Sequence, residues 1–118
     1  KTIAGFLNTN GGILTIGVTD DGTLLGIDAD GFENEDKMSL HLVNLIKDRM
    51  SPTIMPFIHA RFEDYKGCRV MVIECSKVRT PVFVKDGNIE HFYIRTGPST
   101  TELSASQTQE YIKQRYNG

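Results

Sequence analysis

The chain has 118 residues, 39% hydrophobic and 24% charged, with a formal charge of −2. That length suits one domain of common size. Ordinary hydrophobic content with 11 glycines excludes gross disorder, a collagen repeat and a disulfide scaffold, and no apolar run approaches the roughly 20 residues of a membrane helix.

Lys1, not Met, opens the chain, and a helical pattern follows at once, so residues 1–118 are expected to be one domain from a longer protein. Ile3, Ala4, Phe6 and Leu7 form a short amphipathic helix that stops at Asn8-Thr9-Asn10-Gly11-Gly12, residues that tolerate a left-handed cap. Gly12 to Val18 reads as a strand with Ile13, Leu14, Ile16 and Val18 as candidates for burial. Asp20-Asp21-Gly22 is turn chemistry, and Leu24 to Ile27 reads as the second strand of a hairpin. An acidic loop, Asp28 to Asp36, comes next.

A second helix is expected from about Glu35 to Met50. Met38, Leu42, Leu45 and Ile46 form its apolar side, Lys37, His41, Asn44 and Lys47 its solvated side, and Ser51-Pro52 its stop. Phe57 to Glu63 alternates, with Ile58, Ala60 and Phe62 facing inward, and Val70 to Ile73 is the continuous apolar run of a central strand. Val82 to Val84 and His91 to Arg95 pair as a hairpin across Lys85-Asp86-Gly87-Asn88. A loop from Thr96 to Thr101 leads to a last helix, where Ser104 and Gln107 fit a capping box and Tyr111 and Ile112 supply the apolar side. The order α-β-β-α-β-β-β-β-α predicts an α+β fold with a mixed, largely antiparallel sheet of about six strands and three helices.

Cys68 and Cys75 lie seven residues apart on one strand, so they face opposite ways roughly 23 Å apart and cannot pair. They read as reduced thiols of a cytoplasmic protein. Asn10-Gly11-Gly12 has no following Lys-Ser/Thr pair, and it precedes a strand where phosphate loops precede a helix, which favours a cap and turn. Arg95-Thr96-Gly97-Pro98-Ser99-Thr100 combines a guanidinium, hydroxyls and free amides, the groups that hold phosphate oxygens, although Ser/Thr turns use the same residues. Asp20, Asp21, Asp28 and Asp30 miss the calcium-loop spacing, and His41, His59 and His91 share no ligand spacing, so no metal is expected. Residues 1–36 hold one lysine against seven carboxylates, a net −6. Residues 37–118 hold twelve Lys/Arg against eight, a net +4 that could present Arg61, Arg69, Lys77, Arg79, Lys85 and Arg95 near a sheet edge.

The block from Ile3 to Gly22, with Ala4-Gly5-Phe6-Leu7-Asn8-Thr9-Asn10-Gly11-Gly12, the strand ending Ile16-Gly17-Val18 and the turn Asp20-Asp21-Gly22, resembles the opening of the Schlafen-type AlbA domain. Gly5 replaces an alanine of that block. Phe92-Tyr93-Ile94-Arg95-Thr96-Gly97-Pro98-Ser99-Thr100 looks like the family's later F-Y-x-R-x-G-x-S-T block, so the resemblance covers nearly the whole chain. It implies a nucleic-acid-binding domain of transcriptional regulators or of proteins related to ATP-dependent DNA helicases, some of them called ATP-binding. In animal Schlafens the same domain type contributes to an RNA-cleaving core with three carboxylates. Asp20 matches the third, a weak metal candidate, and the other two belong upstream of Lys1, so this stretch is expected to bind rather than to catalyse.

The leading expectation is phosphate contact without base reading by Arg95, Gly97, Ser99 and Thr100, with DNA or RNA as the partner and no membrane. The alternatives are an ATP and magnesium phosphate pocket built from Asn8, Gly11, Gly12 and the Arg95–Thr100 loop, a remnant of a metal-dependent nuclease, and a homo-oligomerisation domain.

Overall fold

The computed structural model describes residues 1–17, 35–65 and 67–116. The expected strand at 24–27, its turn, the acidic loop up to Asn34, Val18 and Asp20 all lie outside the described residues, and Glu35 and Asp36 open a helix. The described elements are α1 (Thr2–Asn8), β1 (Gly12–Ile16), α2 (Glu35–Arg49), a 3₁₀ helix (Pro52–Phe57), β2 (Ile58–Tyr65), β3 (Cys68–Cys75), β4 (Phe83–Asp86), β5 (Ile89–Thr96), β6 (Ser99–Leu103) and α3 (Ala105–Tyr116). The class is α+β, and the six strands form two antiparallel sheets of three, ordered β1-β3-β2 and β4-β5-β6.

In the first sheet the apolar run of β3 lies at the centre, as its pattern predicts. Met71, Ile73 and Cys75 enter the core, and Val70 and Val72 are buried outside that cluster. The register sets Arg61 opposite Val72 and Glu63 opposite Val70. Ile13, expected inside, is 59% exposed, because its register partner is Glu74 and Leu14 and Ile16 take the core side. In the outer strand β2 only Ile58 is buried and Phe62 half-buried, while Ala60, also expected inside, is exposed.

Helix α2 follows its periodicity: Met38, Leu42 and Ile46 form a buried stripe that Met50 extends, and Lys47 and Arg49 sit in the last turn, where the dipole favours cations. Leu45 departs from the expected stripe at 42% exposure. Ser51 accepts from the Thr53 amide at 3.2 Å and starts the 3₁₀ helix with Pro52 at its first position.

The second sheet is a meander with two glycine-first turns: Gly87 (φ +62°) before Asn88 and Gly97 (φ +59°) before Pro98. The stretch expected as a loop after Arg95 is thus a tight hairpin into β6, a strand whose Ser/Thr-rich composition conceals it. Residues Ile3 to Asn8 of α1 are all buried, and that helix packs against β5 of one sheet and β1 of the other. Gly5 permits the approach, since a Cβ there would lie 3.3 Å from the Ile94 backbone and from the Thr100 methyl. No helix among the described residues is long and apolar enough to cross a membrane.

Candidate functional site

The end of α1 organises the region. Its last turn closes through the Thr9 and Gly11 amides, which donate to the Phe6 carbonyl at 3.2 and 2.8 Å. Gly11 adopts φ +79°, and a Cβ there would lie 2.5 Å from the Cys75 carbonyl oxygen. A Cβ on Gly12 would meet the Phe6 ring at 2.5 Å. Both glycines serve close packing, since a side chain at either position would meet protein atoms.

Asn8 is fully buried, and its amide joins three backbone groups far away in sequence. Nδ2 donates to the Val82 carbonyl at 2.8 Å and to the Tyr93 carbonyl at 2.9 Å, and Oδ1 accepts from the Val82 amide at 2.8 Å. With both donors and an acceptor used in the fold, Asn8 is a clamp that holds β5 to α1, not an exposed ligand group. The Val78 amide bonds the Leu7 carbonyl at 3.0 Å, so residues 78–82 are pinned to α1 at both ends, and Arg79 is exposed between the pins.

Thr9 connects this turn to the other landmark. Its hydroxyl accepts from the Arg95 amide at 2.8 Å. Arg95 and Thr100 are Cα partners across the β5–β6 hairpin, and the guanidinium donates from Nη1 to the Thr100 hydroxyl at 2.7 Å while lying 5.0 Å from the Phe6 ring centroid. Thr96 and Thr101 share a hydroxyl–hydroxyl bond of 3.0 Å next to the exposed Gly97 and Ser99. The fold therefore brings the Asn8–Gly12 and Arg95–Thr100 segments together, with Arg95, Gly97, Ser99 and Thr100 on the hairpin and Asn8, Gly11 and Gly12 behind it.

Carboxylates separate the arginines into two groups. Arg49 pairs with Asp86, Arg61 with Glu63 and Glu74, and Arg69 with Asp64, and the two glutamates raise the Arg61 pKa through direct hydrogen bonds. Arg79, Arg95 and Arg115 have no carboxylate partner among the described residues. The six basic residues expected along one sheet edge thus divide: Arg61 and Arg69 are on the first sheet and spent on ion pairs, Lys85 is on β4, and Lys77 and Arg79 are in the segment after β3. Arg95 has no competing carboxylate among the described residues, which leaves its charge available for a ligand there.

Helix α3 adds groups that sequence reasoning missed. Its capping box forms as expected, with the Gln107 amide donating to the Ser104 hydroxyl at 3.3 Å and the Ser104 amide to the Gln107 side chain at 3.0 Å. Tyr111 packs its ring on Phe92, 5.8 Å between centroids, and its hydroxyl donates to the Asn8 carbonyl at 2.5 Å. Arg115 donates from Nη2 to the Thr9 carbonyl, and the Tyr116 hydroxyl reaches Asn8 Oδ1 at 3.4 Å. Burial, partly offset by Arg115, raises the Tyr116 pKa. The only available signal was the spacing of Tyr111 and Arg115, one helical turn apart.

His91 is not a free surface group: its Nδ1 lies 2.5 Å from Glu102 and its Nε2 4.0 Å from Asp86. Desolvation first, then Glu102 and Asp86, raise the pKa of the neighbouring Tyr93. Cys75 is a buried free thiol whose pKa burial pushes up to about 11. Among the described residues no His, Cys, Asp and Glu cluster has metal-binding geometry.

Residues 1–104 match the family described as Schlafen, AlbA_2. No curated protein sequence matches the chain. Among solved structures, the DIP2311 protein from Corynebacterium diphtheriae is similar in fold, with a TM-score of 0.62 at 20% identity. The similarity covers 96% of this chain and only 18% of that one.

Proposed function

The chain belongs to the Schlafen AlbA_2 family, and from that premise we propose that it is a nucleic-acid-binding domain of a regulatory protein, contacting phosphates rather than bases. One observation carries the reading. Arg95 stands where the two family blocks meet, held by Thr9, Phe6 and Thr100, with no carboxylate paired to it among the described residues. A guanidinium fixed in this way keeps further donors for a phosphate oxygen, and Ser99 and the Gly97 turn add a hydroxyl and amides beside it. Asn8, Gly11 and Gly12 support the hairpin from behind.

The reading is one of binding, with affinity dominated by released counterions. Fluorescence anisotropy with single- and double-stranded DNA and RNA across a salt series tests it. Binding should be similar for unrelated sequences and fall log-linearly with salt, by about 0.7–0.9 in slope per phosphate contacted. Flat titrations with every ligand at low salt would remove the proposal. Titration with ATP and magnesium separates this reading from a nucleotide pocket: shifts clustered at Asn8–Gly12 and Arg95–Thr100 would favour the pocket, and unmoved resonances would favour nucleic acid alone.

A further inference from the structure

We propose that β2 is a dimerisation edge: it pairs antiparallel with β2 of a second copy of the chain, Phe62 facing Phe62, and joins two three-stranded sheets into one. The inference is independent of the nucleic-acid reading. In the order β1-β3-β2 the strand lies at an edge, and among the described residues its ladder runs to β3 alone, from Ile58 to Tyr65. Its other side therefore offers backbone donors and acceptors to a further strand. The core-facing side of β2 is also poorly covered. Ala60 is exposed and Phe62 half-buried, although both alternate onto the face of the buried Ile58. A strand laid along this edge would cover them.

Symmetry and charge choose the register. Facing pairs in an antiparallel ladder alternate between hydrogen-bonded and non-hydrogen-bonded types. A two-fold axis relating two copies of one strand must therefore pass through a residue that faces itself, since any other axis would make two consecutive pairs equivalent. Centring on Arg61, Glu63 or Asp64 sets like charges face to face, which is unfavourable. Centring on Ala60 sets His59 against Arg61 and brings no opposite charges into register. Centring on Phe62 sets Arg61 of each copy against Glu63 of the other, His59 against Tyr65 and Ala60 against Asp64. Arg61 already bonds Glu63 at 2.6 Å and Glu74 at 2.8 Å on the outer face, so its guanidinium lies where the second Glu63 would arrive, with five N–H donors to share. Alternating charges guard an edge against most strands, and here they match one partner, the antiparallel copy of β2 itself.

The test is sedimentation equilibrium of the full chain from micromolar to millimolar concentration, where the parent should reach twice the chain mass. Arg61→Glu sets carboxylates against each other at both charged pairs, and Glu63→Arg sets guanidiniums against each other. Each should weaken self-association by roughly ten-fold or more. Arg61→Gln faces no like charge and should stay dimeric. An equimolar mixture of Arg61→Glu and Glu63→Arg chains restores opposite charges at both pairs and should recover the dimer, as should the two exchanges made together in one chain. Circular dichroism melts establish folding, and if Arg61→Glu does not fold, Glu63→Arg against the double exchange makes the same comparison. A parent that stays monomeric at millimolar concentration overturns the proposal. So do charge reversals that leave the dimer intact, or a double exchange that stays monomeric.

Discussion

Replacing Asn8 should unfold the region that holds the hairpin to α1, and the size of the effect follows from three bonds. Asn8→Ala strands the Val82 amide and the Val82 and Tyr93 carbonyls, each bonded to the amide at 2.8–2.9 Å at a fully buried position. A buried backbone group left unpaired costs about 1–3 kcal/mol, so three partly relaxed groups give about 4 kcal/mol. A domain of this length has roughly 6–18 kcal/mol in total, which makes this a large fraction of its stability. At about 3–5 °C per kcal/mol, Tm should fall by roughly 12–20 °C. Asn8→Asp separates polarity from packing: the side chain keeps its size but turns an oxygen toward two carbonyl oxygens, so it should be at least as harmful at pH 7. Urea and thermal melts read both. An Asn8→Asp protein within about 1 kcal/mol of the parent would refute the clamp and the argument that it positions Arg95.

Gly12→Ala should cost about 1–3 kcal/mol in a urea melt, because its Cβ lands 2.5 Å from the Phe6 ring on which Arg95 rests; an unchanged midpoint would show that Phe6 yields freely. Gly11→Ala should cost more than Gly97→Ala, since both have positive φ but only Gly11 also meets a backbone oxygen, so equal losses would count against the packing argument. The raised Cys75 pKa sets a pH dependence. The unfolded thiol ionises near its ordinary value of 9.0 and the folded one near 11, so the thiol's contribution is full below pH 9 and fades toward pH 11 by about 2 kcal/mol. Stability of Cys75→Ala should therefore fall less steeply over that interval, and parallel curves would contradict it.

The parts legible in the sequence are those set by local pattern. Met38, Leu42 and Ile46 announce α2 at helical spacing, Val70 to Ile73 announce a central strand, and Ser104 with Gln107 announces the start of α3. The departures are set by pairing. Ile13 and Leu14 sit side by side in one apolar run, and only the register against Glu74 and Ile73 decides which faces solvent. Ser99–Leu103 has the composition of a loop and becomes a strand through its partner β5 and the Gly97 turn. Among the described residues the strands divide into two sheets with α1 packed against both, an arrangement that no window of sequence reports. At the site, the block around Arg95 was visible as chemistry, and its neighbours were not. Asn8 finds its partners 74 and 85 residues away, and Arg115 meets Thr9 at a separation of 106.

The most direct test compares two arginines of the same protein in one salt series with one oligonucleotide. Arg95→Gln removes a guanidinium bonded to a hydroxyl, while Arg61→Gln removes one already bound to Glu63 and Glu74 at 2.6 and 2.8 Å. With both variants shown by melting to be folded, Arg95→Gln should weaken binding and make the salt slope shallower by about 0.7–0.9, and Arg61→Gln should bind like the parent. Equal losses, or a loss confined to Arg61→Gln, would contradict the assignment of phosphate contact to the Arg95 hairpin.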